Sequence, residues 1–389
     1  MTTDQVHVVG ASMTKFGRHL TTTPRSMVSE AVDGAIHDAD IQPAEIEAAF
    51  VGNAVEGLMT GQESIRGQVV LRSSRLGPVP VVNLENACAS GSTALHVAWN
   101  SIRSGEYDCV LVVGYEKLVD EDKTKSFRAF DASMDLVEAA TNYPERSPDR
   151  SVFMDHYAES GSGGLDPLTL ARISSKSHRH GSLNPRAQFG TAYTPEEVLA
   201  SRQVVGPLHL YMCAPMSDGA AAVVLVSDRW LSRTPRRAVK ILASVLNSGR
   251  ADDESLQRAP ERACARAYNA AGVGPEDLSL IELHDATAVG EFELYSQIGL
   301  CSPGEEDRMV AEGEVGLGGR CPVNTSGGLT SRGHPIGATG VAQAVEAFDQ
   351  LIGRCGPRQV ENARFALTQN VGGWLGTDVA CSTAHLFSN

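Results

Sequence analysis

Four short stretches of this 389-residue chain set reactive side chains among small residues or glycines. The first is Glu85-Asn-Ala-Cys-Ala-Ser-Gly-Ser-Thr-Ala-Leu95. Its one cysteine, Cys88, lies between an apolar run at 79–83 and a segment in which Leu95, Ala98, Trp99 and Ile102 recur at helical spacing. The free N–H groups of a helix start favour a thiolate there, and small neighbours leave room for a reagent to reach the sulfur. A buried structural cysteine at a tight turn explains the same local pattern equally well. The second stretch, Asn324-Thr-Ser-Gly-Gly-Leu-Thr-Ser-Arg-Gly-His-Pro-Ile-Gly-Ala-Thr-Gly340, holds His334 on a glycine-rich loop, with Pro335 suited to the first turn of a helix. Its five glycines, at 327, 328, 333, 337 and 340, point to an open, backbone-lined site rather than to a packed histidine.

The third stretch is Ile281-Glu-Leu-His-Asp-Ala-Thr-Ala288, where His284 and Asp285 follow an apolar strand. Ligands of open α/β sheets bind beyond the carboxyl ends of strands, although one His-Asp pair is also common in purely structural roles. The fourth, Thr368-Gln-Asn-Val-Gly-Gly-Trp-Leu-Gly376, reads as a loop after a strand whose glycine N–H groups can face an oxyanion. The four fit one mechanism. A thiolate takes an acyl group, an imidazole moves protons, and N–H donors hold the tetrahedral oxyanion.

The elements that must position these loops alternate. Strand patterns fall at 5–9, 48–52, 80–83, 109–114 and 221–227, and again at 239–246, 278–282, 364–369 and 378–382. Helical spacing falls at 26–38, 90–104, 196–201, 256–271, 289–298 and 337–352. Strands alternating with helices predict an α/β fold with a largely parallel sheet. Each set has a Gly/Ser-rich turn leading into a small-residue helix, which predicts two similar halves. We expect an N-terminal half over 1–232, with an inserted cap at about 119–207, and a C-terminal half over 233–389.

Composition narrows the partners. The formal charge is −14 with no basic run of five or more, which argues against nucleic acid and anionic membranes. An anionic substrate would need a local basic patch. The eight cysteines form no CxxC pair and no metal-ligand spacing with histidine, so neither a disulfide framework nor a metal site is expected. No apolar run approaches a membrane span, and no signal region precedes 6–10, so a cytoplasmic protein is expected.

Together the motifs resemble the thiolase superfamily over nearly the whole chain, most closely its sterol-carrier-protein-2 type. The most specific match is Gly327-Gly-Leu-Thr-Ser-Arg-Gly-His-Pro-Ile-Gly-Ala-Thr-Gly340, and His284-Asp-Ala286 is similar to the HDCF of that type. The stretches 176–185 and 216–224 support it, with His178 and Asp218 read as structural. The resemblance implies two similar βαβαβαββ halves in a five-layered α/β/α/β/α arrangement, with the inserted loop region covering the site. It makes Cys88 the nucleophile that carries the acyl group and His334 the base that takes its proton. His284 would stand where the family orients a water or donates to the second substrate's oxyanion. The N–H groups of Cys88 and Gly372 would form the other oxyanion hole. The chain departs from the family where a second cysteine usually moves the α-proton. One usual location holds Asn370 and the other Ala286.

The expected activity is therefore a Cys88-dependent acyltransferase acting on acyl-CoA, passing the acyl group to CoA or to a carbon nucleophile. Alternatives are acylation of an activated, phenol-like carbon, retro-aldol cleavage of a CoA ester, and a non-catalytic acyl-CoA-binding scaffold. Coenzyme A or its ester enters as substrate, with no tightly bound cofactor. Phosphate contacts are expected on the insert, at Arg172, Lys176, Arg179 and Arg186. Expected partners are a second copy or a tetramer of the chain and a small OB-fold (DUF35-like) protein.

Overall fold

The computed structural model describes residues 4–144, 147, 149–250 and 257–389, so residue 256, where the helix expected over 256–271 begins, lies outside them. Eleven strands occur among these residues, β1 (Val6–Met13), β2 (Ala48–Gly52), β3 (Val81–Leu84), β4 (Cys109–Glu116), β5 (Gln203–Val205), β6 (Leu208–His209), β7 (Gly219–Ser227), β8 (Val239–Ser248), β9 (Leu280–Glu282), β10 (Phe365–Leu375) and β11 (Asp378–Ser388). Nine of them form one sheet in the order β3-β2-β4-β7-β1-β8-β11-β10-β9, while β5 and β6 pair separately within the insert.

The strand order carries the duplication. Read outward from the β1–β8 contact, both halves run first strand, last strand, then a parallel pair, as β1-β7-β4-β2 and β8-β11-β10-β9. In both, the inner pairings are antiparallel and the outer one, β2–β4 or β9–β10, is parallel, so the sheet is mainly antiparallel and not largely parallel as the strand–helix alternation predicts. β3 adds a parallel edge to β2, and its counterpart in the second half is a single parallel bridge between Ile281 and Val323. The halves join through three residue pairs, from Val6–Ile241 to Val8–Val239.

Successive side chains of a strand point to opposite faces, so strands buried on both sides read as unbroken apolar runs. In β4, Val110 and Val112 enter a central core, and Cys109, Leu111 and Val113 enter an outer one built on the helix Pro24–Ala39. The central core is filled by Leu95 and Ala98 of the helix Ser90–Arg103 and by Val341 and Val345 of the helix Thr339–Leu351. In the second half Leu280, Ala366 and Phe387 face this core, while Ile281, Leu367 and Leu386 face a third, built on the helices Ala259–Ala271 and Ala288–Gln297. The result is five layers, helix, half-sheet, paired central helices, half-sheet, helix. The central helices touch through glycine. A Cβ on Gly340 would lie 2.5 Å from the Ser92 nitrogen, and one on Gly91 would lie 2.6 Å from the Gly337 oxygen.

Several strands run further than their patterns predict, β10 and β11 by the most. β10 continues through the glycine pair to Leu375 and turns into β11, so the fourth motif is the end of a strand rather than a loop. Hydrogen bonding to β11, with Gly372 opposite Cys381, overrides the glycines' weak strand preference. The insert folds as the helices Lys123–Asp131, Leu136–Asn142, Val152–Gly161, Pro167–Ser182 and Pro195–Ala200 with the β5–β6 hairpin. No helix among the described residues is long and apolar enough to cross a membrane.

Candidate active site

β3 ends at Leu84, and two residues later the backbone turns sharply into a 3-10 turn, Ala87–Ala89, that runs directly into the helix Ser90–Arg103. Ala87 holds φ at +47°, a left-handed conformation that costs a non-glycine residue about 1–2 kcal/mol. Its N–H donates to Glu85 Oε1 at 2.5 Å, and Ser90 Oγ donates to its carbonyl at 2.6 Å. The turn aims Cys88 into a cavity of about 260 Å³ together with His284 and His334.

The Cys88 sulfur and one nitrogen of each histidine lie within 4.8 Å of one another, and the two rings meet edge to face with centroids 5.1 Å apart. All three residues are at least nine-tenths buried. The second half delivers the histidines. His284 follows β9, and its Nδ1 lies 2.8 Å from Asn370 Oδ1 on β10. An amide oxygen only accepts, so Nδ1 carries the proton and the Nε2 lone pair is left for chemistry. For His334 the Thr339 hydroxyl decides. Thr339 donates to the Pro335 carbonyl at 3.0 Å, so it accepts from His334 Nδ1 at 2.7 Å, and Nε2 again stays unprotonated. The His334 N–H donates to Ser217 Oγ at 3.0 Å, and Met216 bridges to His334 across the loop.

Burial sets the protonation states. It lowers His284 to about 4 against the weaker pull of Asn370, and with the neighbouring charges of His284 and Arg332 it holds His334 well below the usual imidazole range. The Cys88 thiol is pushed up to about 12, first by burial and then by the Glu116 carboxylate, despite the N–H groups of Cys88 and Gly373 that face its sulfur. The expectation that the helix start would leave a thiolate is thereby corrected, because desolvation outweighs the helix end. The resting site holds a neutral thiol beside two neutral imidazoles. These three side chains are also the one Cys/His set among the described residues close enough to chelate a soft divalent ion.

Other expectations shift with the geometry. Gly373, at φ +66°, turns its N–H to the sulfur, beside the Gly372 that the resemblance placed in the oxyanion hole. Gly372 instead permits contact, since a Cβ there would lie 2.0 Å from the Asn86 oxygen. Lys176 is buried in an ion pair with Glu291 and donates to the Val323 carbonyl at 3.1 Å, which removes it from any phosphate. Arg186 pairs with Asp349 at 3.0 Å, and Arg172 and Arg179 line a separate groove beside Val310. None of the four lines the Cys88 cavity, because the Pro167–Ser182 helix turns Arg172, Lys176 and Arg179 away from it and Arg186, beyond that helix, is held by Asp349. Lys123, Arg150 and Arg202 line it instead. The cavity walls are mainly apolar, with Phe127, Phe130, Phe153 and Met154 from the insert.

Sequence reasoning missed Glu116, which closes β4. Its buried carboxylate accepts from the N–H groups of Ala54 (3.0 Å), Val55 (3.3 Å) and Gly337 (3.1 Å), tying the first half to the loop that carries His334. A carboxylate ending an otherwise apolar strand was the available signal. Cys213, also missed, lines the cavity, and its sulfur donates to the His209 carbonyl at 3.5 Å. Thr287 does not reach the cavity. Its hydroxyl caps the helix Ala288–Gln297 by accepting from the Gly290 N–H at 3.2 Å.

Comparison with known proteins places this geometry. The model of the thiolase N-terminal domain matches residues 6–160, and that of the thiolase C-terminal domain matches residues 246–382. The chain is 37% identical to an acetyl-CoA acetyltransferase of Methanothermobacter thermautotrophicus, over 98% of this chain and 99% of that protein. It is 35% identical to sterol carrier protein 2 of Gallus gallus, over 95% of this chain and 70% of that protein. Among solved structures, an Ltp2-ChsH2(DUF35) aldolase shares the fold with a TM-score of 0.79 at 21% identity, over 99% of this chain and 97% of that one.

Proposed function

The chain belongs to the thiolase family, and on that premise we propose that it is an acyltransferase acting on coenzyme A esters, with Cys88 as the acyl carrier. The carrying observation is the meeting of the Cys88 sulfur with one nitrogen of each of two neutral imidazoles within 4.8 Å, beside a mainly apolar cavity. With a thiol this hard to ionise, His334 Nε2 takes the proton as the sulfur attacks the thioester carbonyl. The N–H groups of Cys88 and Gly373 then hold the oxyanion, and His334 returns the proton to the departing CoA sulfur.

The carbon–carbon step falls to His284. Asn370 stands at one usual position of the second cysteine and Ala286 at the other, so with His334 serving Cys88 the base left for an α-carbon proton is His284. Asn370 Oδ1 steadies the imidazolium that forms. Lys123, Arg150 and Arg202 offer positive charge to the anionic part of the CoA ester. Two partners belong to the same proposal. A second copy would add to the open edge strand β3, where Val82 is 40% exposed. A small OB-fold (DUF35-like) protein would cover Leu136, Val137 and Leu375, exposed apolar side chains near Trp374. The DUF35 named with the aldolase of similar fold supports it.

The test is to incubate the protein with acetyl-CoA and longer acyl-CoAs and to locate the added mass by peptide mass spectrometry. We expect an acyl group on Cys88 and none in Cys88→Ala. An acyl group retained in Cys88→Ala would sink the proposal. The missing second cysteine also favours a second reading, retro-aldol cleavage without an acyl-cysteine. Turnover that needs free CoA excludes it, and turnover without free CoA and without acylated Cys88 would establish it.

A further inference from the structure

His284 lines two cavities. Besides the one that holds Cys88, a larger cavity of about 660 Å³ reaches it from the other side, with Tyr157, Val371, Trp374 and Val379 lining both. The two differ in chemistry. The Cys88 cavity is walled by phenylalanines and methionine, whereas the second is lined by Tyr143, His156, Glu159, Arg258, Glu293 and Gln297. Its polar groups are organised. The Tyr143 hydroxyl donates to Glu159 Oε2 at 3.1 Å and lies 3.2 Å from His156 Nδ1, and the His156 ring packs on Trp374 with centroids 4.0 Å apart. Burial lowers His156 to about 4, so it is a neutral hydrogen-bonding group there.

We propose that this second cavity binds the distal part of the acyl group, and that this part carries uncharged hydrogen-bonding groups, hydroxyl or carbonyl, rather than being an alkyl tail. The inference deepens the function proposed above and rests on it. The first cavity, at about 260 Å³, has room for the thioester end and the pantetheine arm but not for a long chain as well. A chain extending past Cys88 and His284 meets the second cavity next. An alkyl tail there would strip water from Glu159, Glu293 and Gln297 without replacing its hydrogen bonds, which disfavours it. An acyl carboxylate would meet Glu159, Glu293, Glu306 and Asp378 against the single cation Arg258. A hydroxyl or carbonyl satisfies the lining without added charge.

The experiment is calorimetric binding of acetyl-CoA, hexanoyl-CoA and 6-hydroxyhexanoyl-CoA to Cys88→Ala, which cannot be acylated. We expect the hydroxylated ester to bind roughly ten-fold tighter than hexanoyl-CoA. In that background Ser296→Trp, which fills the second cavity, should weaken both six-carbon esters and leave acetyl-CoA unchanged. Gln297→Leu should narrow the preference for the hydroxyl. Equal binding of the two six-carbon esters, or six-carbon binding unaffected by Ser296→Trp, overturns this inference while the acyltransferase proposal stands. Failure of all three esters to bind overturns both.

Discussion

In the first half of the chain, two residues separate β3 from the 3-10 turn that holds Cys88, and the central helix follows at once. In the second half, the bridge at Val323 is followed by a long glycine-rich segment before its own 3-10 turn, Ile336–Ala338, and its own central helix, Thr339–Leu351. The ending is the same and the lead-in differs. The short one is strained at Ala87. The long one uses Gly327, Gly328 and Gly333 at positive φ and is anchored by the fully buried Arg332, which pairs with Glu282 at 3.1 Å and donates to Ser326 Oγ at 2.9 Å. Duplication supplied a matched pair of helices. Divergence of the lead-ins let one half present a nucleophile from a rigid turn and the other carry a base across the junction to meet it.

The comparison breaks most sharply at the base. His334→Ala should slow acylation of Cys88 by about 10²–10⁴, read as the rate of mass gain with acetyl-CoA. The pH profile of the intact protein tests the same pairing. His284 titrates near 4, His334 lies well below the usual range, and Cys88 is pushed up to about 12. The base is lost only as pH falls through the low imidazole values, so acylation should be flat between about pH 6 and about pH 7, below the Glu116 carboxyl that burial raises to about 8. Alkylation of Cys88 by iodoacetamide, which depends on the free thiolate, should still climb across that range. An acylation limb near neutrality would mean a thiolate–imidazolium pair instead.

The next effect lies in the helix contact that the halves share. Gly340→Ala would set a Cβ 2.5 Å from the Ser92 nitrogen, a backbone atom that cannot swing away. We expect a loss of about 2–3 kcal/mol, measured by denaturant unfolding. Gly163→Ala, whose nearest neighbour is an oxygen 3.8 Å away, is the control and should change little. Equal stability of the two variants would mean that the central helices do not depend on glycine contact.

Much of this was legible in the sequence for physical reasons. The two-faced strands, the small residues around Cys88 and the glycines around His334 are local signals, and they named the three side chains that meet. What stayed hidden depends on facing. Lys176 sits on a helix of the insert that the helical spacings did not mark, and its turn toward Glu291 is set by packing from elsewhere in the chain. That Gly373 turns its N–H to the sulfur is a matter of one peptide's orientation within a hairpin. Glu116 reads as a strand end until Gly337, far along the chain, donates to it. The ionisation of Cys88 was misjudged because the helix start is visible in sequence and the depth of burial is not.

The smallest effect separates strain from placement. Ala87 at φ +47° costs about 1–2 kcal/mol that glycine would not, but glycine gives back roughly 0.5–1 kcal/mol through a freer unfolded chain. Ala87→Gly should therefore leave stability level or raise it by up to about 1 kcal/mol. Acylation by acetyl-CoA should fall a few-fold, because a turn that glycine lets relax aims the sulfur less well. In the other lead-in the opposite change has the opposite sign. Gly327→Ala at φ +103° would set a Cβ 2.7 Å from the Gly181 Cα and should lower stability outright. If Ala87→Gly gains stability and keeps the full acylation rate, strain at the short turn does no positioning. The nucleophile would then be held by the helix behind it, as the base is held by the residues around its own loop.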